Sequence, residues 1–245
     1  MKMTTNEVNV EGVVLKQIPY KDNDMILHVY TKDYGKLSFV AKGIRKLTSK
    51  NARASSPMMI SEFSVNLKKG LSTLIKAAPI NYLRHIKESI ESEIVGNYIL
   101  EYFYRYVEEN EPDEDVYKQL IESLKALDYG YSPLLVYCLF QVFILNHNGI
   151  SIDVDGCVVC GSLKVVSISV DEGGFVCEQH YKNNVIYPKE VLKAFRHLHK
   201  LTIDSIDSFN IEECYLKEIT KIHDTYIDES CGFVLKSSTF IIQIV

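Results

Sequence analysis

No apolar stretch in this 245-residue chain approaches the roughly 20 residues that a bilayer-spanning helix requires. The longest, Leu134 to Leu145, is interrupted by Gln141, so no membrane span is expected. The opening residues, Met1 to Asn9, are polar and lack an apolar core followed by small cleavage-site residues. A cytoplasmic protein is therefore expected. There is no internal repeat and no low-complexity segment. Hydrophobic residues at 47% and charged residues at 24% match a folding globular chain, which excludes one dominated by disorder. Catalytic groupings are missing too: His147, His197 and His199 have no Ser, Cys and Asp arrangement beside them and read as capping or surface residues.

Charge is unevenly distributed. Residues 1–80 carry 13 Lys and Arg against 6 Asp and Glu, whereas the remainder carries 14 against 26. A polyanion, if one binds, is expected at the N-terminal end.

From Val8 to Ala78 the chain consists of short, often alternating apolar runs: Val8–Leu15, Met25–Tyr30, Lys36–Ala41, Met58–Leu67 and Leu71–Ala78. They are separated by turn-forming stretches such as Asp33-Tyr34-Gly35 and Lys68-Lys69-Gly70, and they predict five strands. An OB-type (oligonucleotide-binding) barrel needs that number, and an SH3-like barrel fits it too. After Pro79 the period changes. Ile86, Ile90, Ile94, Tyr98, Tyr102 and Tyr106 recur every four residues and predict a long amphipathic helix, and Val116, Leu120 and Leu124 predict another. Ser132-Pro133 is an N-cap and first-turn pair opening an all-apolar helix that Asn148-Gly149 stops, and this helix is expected at the centre of a bundle. Further helices are predicted over Pro188–His199 and Ile211–Tyr226. The resulting expectation is an α+β multidomain protein. Residues 1–80 form a five-stranded OB-type barrel, and residues 81–245 form an α-helical domain carrying a zinc-ribbon-like insert at 153–183.

The insert rests on Cys157, Cys160, Cys177 and His180, two pairs each at i and i+3. A hairpin that returns the second pair to the first would complete a closed tetrahedron of three thiolates and one imidazole, a structural zinc site with no open position for water. Two alternatives stay open, a redox Cys-x-x-Cys pair and four coincidentally placed side chains. A zinc deaminase is excluded, because no His-x-Glu occurs and Gly156 stands where Pro is required. Cys138, Cys214 and Cys231 read as reduced core thiols.

Lys42, Arg45, Lys46, Lys50 and Arg53 place five cations in twelve residues without an acid, between the third and fourth strands. Such a loop can track a phosphate chain without reading bases. Tyr20, Tyr30, Tyr34 and Phe39 are candidate stacking faces. A second basic stretch, Lys189, Lys193, Arg196 and Lys200, lies in the acidic half.

Glu11-Gly-Val-Val-Leu15, Tyr20, Asp24, Tyr30-Thr31, Gly35-Lys36 and Ala41 to Lys46 together resemble the N-terminal domain of the RecO family of bacterial recombination mediators. Cys157-x-x-Cys160-Gly161, Gly173-Gly174 and Cys177 resemble that family's zinc segment, and Leu235-Lys236-Ser237 its C-terminal signature. His180 departs from the cysteine common there, and Pro57-Met58 from the usual Pro-Phe. The resemblance implies a non-enzymatic protein that binds single- and double-stranded DNA regardless of sequence and anneals complementary strands. It would work with RecR and with the C-terminal tail of the single-stranded-DNA-binding protein to load RecA, in the bacterial cytoplasm at the nucleoid. It implies no membrane and no small-molecule substrate. Lys189, Lys193, Arg196 and Lys200 are the candidate rim for that acidic tail. The rival readings are an acidic protein-binding adaptor and a zinc enzyme.

Overall fold

The computed structural model describes residues 6–182 and 185–241, so the first five residues of the barrel domain, Asn183 at the end of the insert and the last four residues lie outside it. Packing divides the chain into two compact units, 1–130 and 131–245.

In the first unit, β1 (Glu7–Tyr20), β2 (Asp24–Thr31), β3 (Gly35–Ala41), β4 (Ile60–Asn66) and β5 (Ser72–Asn81) form a closed barrel in the order β1-β2-β3-β5-β4. All pairings are antiparallel except β3 with β5. This Greek-key order settles the choice that strand number left open, and the barrel is OB-like. β1 belongs to both sides: its first half pairs with β4, its second with β2, and the register shifts between Val14 and Lys16. A bulge there bends the strand around the barrel corner. Val10, Val14, Leu27, Val29, Phe39, Phe63 and Val65 fill the interior, with the Phe39 and Phe63 rings 5.6 Å apart.

Two helices join this unit. α1 (Ile90–Tyr106) is capped by Ser89, whose hydroxyl accepts from the Ser92 N–H, and α2 (Glu114–Asp128) by Asp113, which accepts from Val116. They cover the outward face of β2. Tyr30 packs edge-on against Phe103 at 5.3 Å and beside Tyr117 at 6.3 Å, His28 meets Tyr104, and the Tyr117 hydroxyl donates to Glu11 at 2.9 Å. The expected boundary at residue 80 thus differs from the packing boundary at 130, because the apolar faces of α1 and α2 are buried against barrel residues. Ile90, expected on the inner stripe, is 74% exposed. The helix begins at its Ser89 cap, and Ile86 sits in a separate 3-10 turn, His85–Glu88.

Lys36 ties β3 to α1. Its Nζ donates to the Tyr104 and Val107 carbonyls at 3.0 and 2.5 Å, placing a cation on the unpaired carbonyls of the helix end. Burial lowers its pKa, opposed by Glu109.

In the second unit, α3 (Pro133–His147) is the buried element, with α4 (Lys189–Lys200) and α5 (Glu213–Tyr226) packed around it. Ser132 caps it and Pro133 opens it, as expected. Its one polar interior residue, Gln141, donates to Asp224 at 2.7 Å, and Tyr137 donates to the same carboxylate at 2.9 Å. Of the three cysteines expected in the core, Cys138 is buried, Cys231 is half-buried and Cys214 is exposed. His199, expected at the surface, is half-buried, and its Nε2 lies 3.0 Å from that of the enclosed His223.

Two outcomes follow. Lys36→Met leaves two carbonyls without a donor and should destabilise the first unit by about 1–3 kcal/mol, read as faster hydrogen exchange at the end of α1; wild-type exchange would contradict it. In the second unit, burial pulls His199 down to about 4 and holds His223 well below 6.5, while burial pushes Asp224 up to about 6 against its hydrogen bonds from Tyr137 and Gln141. The neutral imidazoles contribute stability that is complete above pH 6.5 and lost as pH falls. The Asp224 contribution runs the other way and is lost as pH rises through about 6. With two imidazoles against one carboxyl, protection in α5, corrected for the intrinsic pH dependence of amide exchange, should fall between pH 7 and about 5, and His223→Gln should flatten that profile. Parallel profiles would contradict the assignment.

Candidate nucleic-acid interface and metal cluster

The segment between β3 and β4 is pinned to the barrel. Ile44 is 4% exposed and packs into the barrel core. Gly43, at a φ of +62°, donates its N–H to Asp24 at 2.7 Å, and the Arg45 N–H donates to the Asn23 carbonyl. Asn51 bridges to β5, accepting from the Ala77 N–H at 3.1 Å and donating to the Ile75 carbonyl. Ser61 and Gln17 donate to the carbonyls of Ala54 and Ser55. Met58, where an aromatic was in question, is buried against Gly96 of α1; any larger residue at 96 would meet its thioether at 3.0 Å.

With the backbone held at these points, Lys42, Arg45, Lys46, Lys50 and Arg53 all remain exposed, and among the described residues none has a carboxylate within 4.0 Å. Unneutralised cations on a fixed backbone can release counterions from a polyanion with little ordering cost. The aromatic candidates divide. Tyr30 and Phe39 are fully buried, so neither can stack on a base. Tyr34 is half-buried against the core, and Tyr20 is exposed, with the Lys21 Nζ over its ring. Sequence reading missed Tyr82, whose ring lies under the Arg53 guanidinium, and Arg84, which shares that ring.

In the second unit, β6 (Val165–Ser169) and β7 (Gly174–Cys177) form a hairpin turned at Gly173. It lays Cys177 and His180 against the turn that carries Cys157 and Cys160, where the Gly161 N–H donates to the Cys157 carbonyl and the His180 N–H to that of Cys177. All four ligand atoms lie within 4.8 Å of one another. Cys160 Sγ is 3.7 Å from Cys177 Sγ, and Cys157 Sγ is 3.6 Å from His180 Nδ1. Tetrahedral zinc, with Zn–S near 2.3 Å and Zn–N near 2.05 Å, requires about 3.8 and 3.6 Å, so the donor set could hold such an ion. Burial acts to raise the Cys157 thiol, yet backbone donors at Cys177, Cys160 and Val159 outweigh it and bring the pKa to about 6, favouring the thiolate a metal needs. Around the donors Cys157, Val176 and Cys177 form a small buried cluster, and Phe175 of β7 packs on Phe195 of α4 with ring centroids 5.9 Å apart.

The second basic stretch is partly consumed. Arg196 and Lys200 both pair with Asp155, at 2.9 and 2.7 Å, and Arg196 also donates to the Val154 carbonyl. They tie α4 to the approach to the cysteine cluster. Lys189 and Lys193 stay exposed, and Lys193 lines a groove of about 260 Å³ with His197, Ile211, Tyr215, Glu190 and Glu212.

Among the described residues no helix is long and apolar enough to cross a membrane. Residues 3–83 match the family model described as recombination protein O N terminal, and residues 88–239 match recombination protein O C terminal. Curated relatives named DNA repair protein RecO include one from Listeria monocytogenes serotype 4a, 26% identical over 235 residues, covering 94% of this chain and 92% of the relative. Another, from Bacillus mycoides, is 26% identical over 239 residues and covers 96% of both. An OB-like barrel, a helical part and a three-cysteine, one-histidine cluster in this order, matched over nearly the whole length, place the chain in the RecO family of DNA repair proteins.

Proposed function

We propose that the chain is a non-enzymatic recombination mediator that binds single- and double-stranded DNA regardless of sequence and anneals complementary strands. It works with RecR and the single-stranded-DNA-binding protein to load RecA, in the bacterial cytoplasm at the nucleoid. The observation that carries this reading is the pinned loop on an OB-like barrel with five exposed cations that, among the described residues, have no carboxylate within 4.0 Å. Lys42, Arg45, Lys46, Lys50 and Arg53 are the proposed phosphate contacts. Annealing requires neutralising two phosphate chains while leaving base edges free to pair, and a cation row without base-reading groups does that. In this division of labour, residues 1–80 bind DNA and residues 81–245, with the insert at 153–183, hold the partner surfaces.

Cys157, Cys160, Cys177 and His180 would hold a structural Zn²⁺, which cross-links a segment with little core of its own. The acidic tail of the single-stranded-DNA-binding protein would approach Lys189 and Lys193; Arg196 and Lys200, shared with Asp155, contribute less charge to it. Glu190 and Glu212 in the adjacent groove set a limit on how acidic a ligand it accepts.

Titrating a labelled single-stranded oligonucleotide at several salt concentrations should give binding that weakens steeply with salt. Changing Lys42, Arg45 and Lys46 together to Glu should reduce the slope of log K against log salt by about 2, at roughly 0.7 per lost contact; an unchanged slope would refute the loop assignment. For the cluster, the purified protein should contain one zinc per chain. Chelation or Cys157→Ser should speed proteolysis within 153–182 without altering DNA affinity, and unchanged protection in the absence of metal would overturn the structural role.

A further inference from the structure

At the end of the loop its last cation, Arg53, forms a unit with two residues outside the loop, Tyr82 and Arg84. The guanidinium carbons of Arg53 and Arg84 lie over the Tyr82 ring, 4.5 and 4.9 Å from its centroid. Arg53 belongs to a 3-10 turn at the end of the loop, and Tyr82 and Arg84 follow β5. The stack therefore bridges two segments of the first unit. Among the described residues neither guanidinium has a carboxylate within 4.0 Å, and both arginines are exposed.

The backbone enforces this meeting. Leu83 adopts a left-handed conformation, φ +43°, with its side chain 1% exposed, and its N–H is held by the Asn81 carboxamide at 3.0 Å. A non-glycine residue held there is strained. The turn at Leu83 brings the Arg84 guanidinium onto the Tyr82 ring, while Asp128 accepts from the His85 N–H at 2.8 Å and fixes the chain beyond. Two like charges on one ring repel each other, and anions bound to them relieve that repulsion.

We infer that Arg53 and Arg84, organised on Tyr82, form a fixed clamp for adjacent phosphates of a nucleic-acid backbone, continuing the path begun by the loop. It rests on the DNA-binding reading above and adds to it a subsite whose geometry is set before binding. Guanidinium groups held flat on a ring present paired N–H donors with little entropy left to lose, unlike the lysines of the loop. The ring serves the arginines as a platform, so Tyr82 acts as a positioning residue.

The test is the anisotropy titration of a labelled oligo-dT across salt concentrations with the full chain and four variants. Arg84→Gln should lower the salt slope by about 0.7, one contact's share. Arg84→Lys keeps the charge and should keep the slope while weakening binding. Tyr82→Leu removes no charge yet should weaken binding roughly two- to fivefold, the worth of one exposed cation–π contact, and Tyr82→Phe should bind as wild type. If Tyr82→Leu fails to fold by its melting curve, the two Arg84 variants at an exposed position carry the test. Wild-type binding with salt slopes and affinities unchanged in the Arg84 variants overturns the clamp and leaves the loop reading standing. Absence of wild-type binding at low salt overturns both.

Discussion

Barrel closure depends on a short parallel contact between β3 and β5, where Phe39 faces Ser72 and Val40 faces Thr73. Parallel neighbours cannot be joined by a tight turn. The chain leaving Ala41 must therefore cross the barrel before it enters β4 at Ile60. That obligatory connection is where the cations sit, and its anchors at Ile44, Asn51 and Ala54 are contacts with barrel residues. The same closure sends β5 back beside the crossing segment, which is how Tyr82 comes to meet Arg53. The surface proposed for a polyanion is thus a by-product of topology, and two of its cations also serve the fold, Arg45 by donating to the Asp22 carbonyl and Arg53 by stacking on Tyr82.

The second unit solves a different problem. Around α3 the apolar residues are plentiful enough to bury even a Gln, two His and an Asp, at the cost of shifting their ionisation. The hairpin of β6 and β7 buries Ile168 and Phe175, but at its far end the buried cluster is small, and the four donor side chains converge there. Asp155 then binds Arg196 and Lys200, so the hairpin's approach is fastened to α4 by exposed ion pairs. Such pairs add little stability on their own. Their effect here is to orient the segment.

Local features were readable and distant ones were not. Alternation revealed the five strands, and Ser132-Pro133 and Asn148-Gly149 marked both ends of α3, because each signal lies within a few residues. The i and i+3 spacing of Cys157 with Cys160 and of Cys177 with His180 revealed the cluster for the same reason. Strand identity did not say which face α1 and α2 would cover, so Tyr30 looked available and is buried. Periodicity ran through Ile86 and Ile90 as one helix, although the Ser89 cap divides them. The basic face of α4 looked free, because Asp155 lies some forty residues away in sequence. The stack of Arg53, Tyr82 and Arg84 has no sequence signature at all, since a turn at Leu83 creates it.

The central claim is that DNA lies along the segment joining β3 to β4. Hydrogen exchange of the full chain with and without saturating single-stranded DNA tests it most directly. The account predicts slowed exchange across residues 42–56, with little change in β6 and β7. Protection confined to the second unit, with the loop unaltered, would contradict it.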